Sequence, residues 1–158
     1  MRIPILFFAF LGLVQSSHQN TTINETVILQ KAELILEKMD KALESHDFKE
    51  FLAMHDENFH FNFCQVNGSS VKDLERVLKT DPNMARTVTS KHTVQTSISK
   101  SPVRNVADNK WEFEYEEHLL LKDKQVVRTE GTISFLDLEG TRVKIVSAEE
   151  KCPEKVFD

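Results

Sequence analysis

His92, Tyr115, Glu117, Thr129 and Glu149 are the residues of this 158-residue chain whose types and spacing suit proton chemistry. Each falls on the apolar parity of a segment that alternates with period two, so the pattern that sends Trp111, Phe113, Leu119 and Ile133 into a core sends these inward too. Carboxylates crowded into a dry site hold a proton more tightly than they do in water. A neighbouring imidazole can exchange it, which is how a general acid or base works. Glu117, Glu149 and His92 are therefore the candidates for catalysis. Tyr115, Trp111, Phe113, Thr129 and Gly131 are the candidate pocket lining, with Gly131 leaving room for a ligand or for the tyrosine ring. The plainer alternative has a bulge at residues 116 and 117 returning Glu117 to solvent, Glu149 reaching water at a strand end, and His92 satisfying a hydrogen bond at the sheet edge.

A second stretch, "NFHFNFCQVNGSS" at residues 58–70, alternates Phe59, Phe61 and Phe63 with His60, Asn62 and Cys64. One set must face the interior. Cys152 lies on the outward parity if the last strand runs on, so pairing it with Cys64 sends the phenylalanines inward and leaves His60 and Asn62 outside. His55 and His60 have no convincing metal spacing, no Gly-rich phosphate loop is present, and no cofactor is expected.

The elements that position these residues are legible from periodicity. Ile28, Ala32, Ile35, Leu36, Met39, Ala42 and Leu43 form one face of a long helix. Asp47, with Glu50 three residues on, restarts a short helix burying Phe48, Phe51 and Leu52. Ser69 or Ser70 caps a third, with Val71, Leu74, Val77 and Leu78 inward, ended by Asp81-Pro82-Asn83. Strands follow at roughly 87–99, 110–121, 125–137 and 141–149. A turn near Lys122-Asp123-Lys124 pairs Trp111 with Phe135, Phe113 with Ile133, Tyr115 with Gly131 and Leu119 with Val127. A three-residue loop at Leu138-Glu139-Gly140 pairs Phe135 with Val143, Ile133 with Ile145 and Gly131 with Ser147. One register of the preceding strand sets His92 opposite Glu117.

The chain opens on "MRIPILFFAFLGLVQSS", a short basic start, an apolar run from Ile3 to Val14 and small residues at a cleavage site, so residues 1–17 read as a secretory signal peptide. Sequons at Asn20, Asn24 and Asn67 agree with export. The division is then a signal peptide at 1–17, a polar glycosylated tail at 18–25, one domain at 26–152 and a C-terminal tail at 153–158. An oxidising compartment favours a disulfide between Cys64 and Cys152. Removing Arg2 with the leader takes the net charge from −5 to −6, which argues against general affinity for nucleic acid or anionic lipid.

Two helices, a strand, a third helix and four long antiparallel strands resemble the nuclear transport factor 2-like superfamily, within the broader cystatin-like fold. "KALESHDFKEFLAMHDENFHFNF" looks like that family's passage from a first helix through a short D-F-x-x-F/L helix into a strand. The resemblance spans residues 26–150 and implies an α+β fold, with N-terminal helices on the concave face of a curved, mainly antiparallel sheet. Its ketosteroid isomerases carry an Asp base on the opening strand; "HFNF" places Asn62 there, and an amide cannot take and return a proton. "QVNG" at residues 65–68 falls one residue short of the Q-x-V-x-G hairpin of cystatins, so protease inhibition is a minor alternative.

The expectation is a secreted, noncatalytic binding module for a small apolar ligand or an extracellular protein partner. It has no nucleic-acid partner and no membrane span after signal cleavage, and a homodimer through the polar sheet face is open to it. The alternative is an isomerase- or cyclase-like enzyme using Glu117 or Glu149 with His92.

Overall fold

The computed structural model describes residues 16–97, 100–138 and 142–152. Most of the signal peptide and the C-terminal tail lie outside these residues. The helices are α1 (Ser16–Glu44), α2 (Phe48–Ala53) and α3 (Val71–Thr80), with a 3₁₀ turn at Met84–Arg86. The strands are β1 (His55–Asn62), β2 (Asn67–Gly68), β3 (Thr87–Val94), β4 (Arg104–Ala107), β5 (Lys110–Leu121), β6 (Val126–Asp137) and β7 (Val143–Glu150). They form one sheet in the order β2-β1-β7-β6-β5-β3, with β4 also on β5; β1 and β7 run parallel and the other pairs antiparallel.

The helix face predicted on α1 is buried at every position from Ile28 to Leu43 and packs with Phe59, Phe113, Ile133, Phe135 and Ile145 in one core. The helix itself begins earlier than expected. No Gly or Pro interrupts residues 16–44, so the backbone stays helical through the segment read as a polar tail, including Asn20 and Asn24.

The end of α1 is a Schellman turn: His46 N–H donates to the Leu43 carbonyl at 3.2 Å and Asp47 N–H to the Ala42 carbonyl at 2.8 Å. Asp47 also starts α2, its Oδ1 accepting the Glu50 N–H at 3.0 Å. That one residue therefore closes one helix and opens the next. The turn forces His46 to φ 56°, where an L side chain is strained. Replacing His46 with Gly is expected to raise stability by about 0.5 to 1 kcal/mol, the strain relieved less the extra flexibility of the unfolded chain. That corresponds to roughly 2 °C in a thermal melt. An unchanged or lowered midpoint would count against this account.

α3 is capped as the serines suggested. Ser70 Oγ accepts the Asp73 N–H at 3.2 Å, and Asp73 Oδ2 takes the Ser69 N–H at 3.2 Å and the Ser70 hydroxyl at 2.8 Å. Leu74 and Leu78 are buried beneath it, while Val71 and Val77 are half-buried, as are Phe48 and Leu52 on α2.

All four predicted β5–β6 pairs are present, and His92 stands opposite Glu117 without the bulge that would have turned Glu117 out. The β6–β7 hairpin departs from expectation. Asp137 pairs with Val143, Phe135 with Ile145, Ile133 with Ala148 and Gly131 with Glu150, so the loop spans five residues, 138–142. The initial slip is two residues, which keeps every side chain on its face and is invisible to alternation. Beyond it Val146 has no partner on β6. This bulge reverses the parity of the rest of β7. Glu149 consequently lies exposed opposite Thr132, and Glu150 takes the inward place assigned to it.

Phe59 and Phe61 are buried and His60, Asn62 and Cys64 exposed, as expected, although the bulge puts Cys152 on the parity of Glu150 and not on the outward parity from which that expectation was drawn. Cys64 and Cys152 form a disulfide with a Cα–Cα distance of 5.3 Å. Among the described residues no helix is long and apolar enough to cross a membrane.

Candidate functional site

The sheet's β3 edge would expose a row of unpaired backbone N–H groups. Two acids of α1 cover them: Glu44 Oε1 accepts the Ser90 N–H at 2.9 Å, and the Asp40 carboxylate accepts the His92 N–H at 3.0 and 3.1 Å. Asp40 also accepts the Ser90 hydroxyl at 2.7 Å and lies 2.6 Å from His92 Nδ1. On the far side of the imidazole, Nε2 is 3.1 Å from Glu117 Oε1. The buried ring is thus held at both nitrogens by carboxylates from α1 and β5.

Burial alone would pull the His92 pKa down, but hydrogen bonds and charge from Asp40 and Glu117 outweigh it and raise it to about 9. His92 is an imidazolium at neutral pH. Burial works against Asp40 as well, yet its bonds to His92 and Ser90 leave its pKa lowered. Asp40 escaped the sequence reading because it follows Met39 at the border of an apolar face, where an acid reads as solvated. The signal that could have found it is its place one turn beyond the buried Leu36.

A cavity of about 120 Å³ opens on the concave side of this group. Its apolar wall includes Met39, Leu43, Phe59, Leu74 and Ile133, and its polar groups are Tyr115, Glu117, Glu150, His55, His92 and Asp81. Tyr115, Gly131 and Glu150 form one row across β5, β6 and β7. A Cβ on Gly131 would lie 2.1 Å from the Glu149 carbonyl oxygen and 2.8 Å from the Tyr115 ring, so only glycine lets the ring lie across the sheet here. The space left opposite Tyr115 holds its own ring. Burial, then the charges of Glu117 and Glu150, push the tyrosine pKa well above its ordinary value. Burial chiefly raises Glu150, whose Oε2 accepts the Cys64 N–H at 2.9 Å.

Of the expected lining, Tyr115 is the residue that faces this cavity. Trp111 and Phe113 border a separate open groove of about 590 Å³ beside residues 95–97 and 100–105. Thr129 pairs with Glu117 but faces a surface hollow near the disulfide, and Gly131 lies under the tyrosine ring. The cavity also brings in His55, whose Nδ1 lies 2.9 Å from the Phe51 carbonyl and whose pKa burial depresses to about 4. His55 is buried and His60 exposed, and no three His, Cys, Asp or Glu side chains among the described residues are placed to hold a metal ion.

A curved sheet closed by helices into a cone, with a cavity between them, defines an α+β class whose members are recognised by shape. Solved structures identify it. A nuclear transport factor 2-like protein of unknown function from Pseudomonas putida superposes with a TM-score of 0.63 at 10% identity, covering 83% of this chain and 90% of its own. One from Shewanella oneidensis gives 0.61 at 11% identity, covering 77% and 96%. A nuclear transport factor 2-like superfamily protein from Salmonella enterica gives 0.58 at 13% identity, covering 87% and 96%. The chain has the nuclear transport factor 2-like fold. No protein-family model and no curated protein matches its sequence.

Proposed function

We propose that this is a secreted, noncatalytic binding module whose cone cavity takes one small ligand. The carrying observation is the state of His92: carboxylates occupy both ring nitrogens, at 2.6 and 3.1 Å, so neither is free to accept a substrate proton. The cavity, at about 120 Å³, is also smaller than the one of ~150 Å³ that admits benzene. It suits a compact ligand better than the ring systems on which isomerases and cyclases act. Secretion is supported by the leader, the disulfide and the exposed position of Asn67 on β2.

The test is a screen of fragments of up to about six heavy atoms, read by NMR at the methyl groups of Met39, Leu43, Leu74 and Ile133. Saturable shifts at these methyls are the expected result. A screen in which none of them moves would end the reading. Deuterium exchange alpha to the carbonyl of small ketones should proceed at the buffer rate; acceleration lost in Glu150→Gln would favour the enzyme instead.

A further inference from the structure

We infer that the cone cavity selects a small organic cation, an alkylammonium with a compact apolar body. This rests on the reading of the cavity as a ligand site and adds the chemical class of the ligand. The donors and acceptors on the lining decide the class. Glu117 gives one oxygen to His92, Glu150 gives one to the Cys64 N–H, and Asp81 Oδ1 accepts the Asn83 N–H at 2.8 Å. Each retains acceptor capacity. His55 must carry its proton on Nδ1, because the Phe51 carbonyl beside it can only accept; its Nε2 is therefore a lone pair. Tyr115 is 5% exposed and lines the cavity, and its hydroxyl has no hydrogen-bond partner among the described residues.

Apart from the Tyr115 O–H, which can also donate, the unfilled hydrogen-bonding capacity of the cavity is thus acceptor. An ammonium group, with three donors and no acceptor, is its complement. The charges agree. His92 brings one positive charge, but Asp40 and Glu117 lie against it, and Glu150 and Asp81 add acidic groups, with no further cation among the described residues of the lining. Gly131 contributes the geometry: with no side chain it lets the Tyr115 ring lie across the sheet, so the tyrosine faces the cavity in the row of Glu150, with Glu117 two residues along β5. An ammonium seated there meets both carboxylates and the tyrosine oxygen, while its carbon chain lies against Leu74 and Ile133. An anion would face the remaining oxygens of these carboxylates, and a neutral alcohol would leave acceptors unfilled.

Propylammonium, 1-propanol and propionate, nearly equal in size, decide the question in methyl-detected NMR titrations of the disulfide-intact protein at pH 7. Propylammonium is expected to bind at least tenfold more tightly than 1-propanol, with no saturable shift from propionate. Glu150→Gln should weaken propylammonium about tenfold and leave 1-propanol within twofold. Asp81→Asn, a second variant near the surface, should weaken it about threefold. If 1-propanol or propionate matches propylammonium, or both variants leave its affinity unchanged, the cation inference is overturned while the cavity reading stands. If none of the three probes moves a cavity methyl, both fall together.

Discussion

Replacing His92 with asparagine is expected to lower the unfolding free energy at pH 7 by about 3 to 5 kcal/mol, the usual cost of leaving buried charges without their partner. Asp40 and Glu117 approach the ring from opposite sides, and both were desolvated on the condition that a cation lies between them. Without it one carboxylate must take up a proton or pull in water. Asp40 would still accept the His92-position N–H and the Ser90 hydroxyl, so the edge strand keeps its cover. The loss should therefore be concentrated at Glu117. Combining the change with Glu117→Gln should recover part of it, a recovery that a merely mispacked asparagine would not show.

The pH dependence follows from the same group. The folded pKa of His92 is raised to about 9 from an ordinary 6.5. A raised pKa gives stability that is fully present below about pH 6.5 and is lost as pH climbs through about 9, here up to about 3 kcal/mol. Asp40 acts at the other end: its lowered pKa gives stability present above its ordinary value of 3.8 and lost as the solution is acidified below it. Denaturant melts from pH 6 to 10 should show the alkaline decline in the wild type and not in His92→Asn. Imidazole ¹⁵N shifts offer a direct check, with both nitrogens protonated at pH 7.5. A titration of His92 near 6.5 would contradict the whole assignment.

The fold was readable where one physical rule acts alone. Alternation with an apolar core determines which face of β5 and β6 is buried, so Trp111, Phe113, Tyr115 and Leu119 fell into their true pairs. It carries no information about slips of two residues, which is why the β6–β7 register was missed, and none about where a bulge will fall. Val146 looks like any other strand valine, yet it exchanges Glu149 for Glu150 at the cavity. β4 falls in the gap between the expected strands 87–99 and 110–121, because its four residues are all exposed and give no alternation. The parallel β1–β7 pair depends on contacts far apart in sequence, which no local pattern encodes. His92 opposite Glu117 was one register among several. Asp40 completed it from a helix 52 residues away, and that choice is made by tertiary packing.

Reduction of Cys64–Cys152, or its replacement by a serine pair, is expected to cost about 4 to 5 kcal/mol. The bond joins residues 88 apart, and in the chain-entropy model a loop of that length frees the unfolded chain by this amount. Single domains are stable by only about 5 to 15 kcal/mol, so the fraction unfolded should become measurable under mild conditions. The bond ties the segment after β1 to the end of β7, beside the parallel pairing of His60 with Ser147 and Asn62 with Glu149. It also fixes the Cys64 N–H that donates to Glu150 at 2.9 Å, so local fraying should reach the acidic side of the cavity first. Two readouts separate the unfolded-state effect from this native one. If freedom of the unfolded chain dominates, the urea m-value should rise as the midpoint falls, because a chain without the crosslink exposes more surface on unfolding. Amide hydrogen exchange should remain slow at Phe59 and Phe135 in the core and quicken at residues 62–66 and 149–152. A loss below about 1 kcal/mol with an unchanged m-value would mean that the crosslink contributes little to the fold, and its place would then have to be explained by the Cys64 N–H it holds against Glu150.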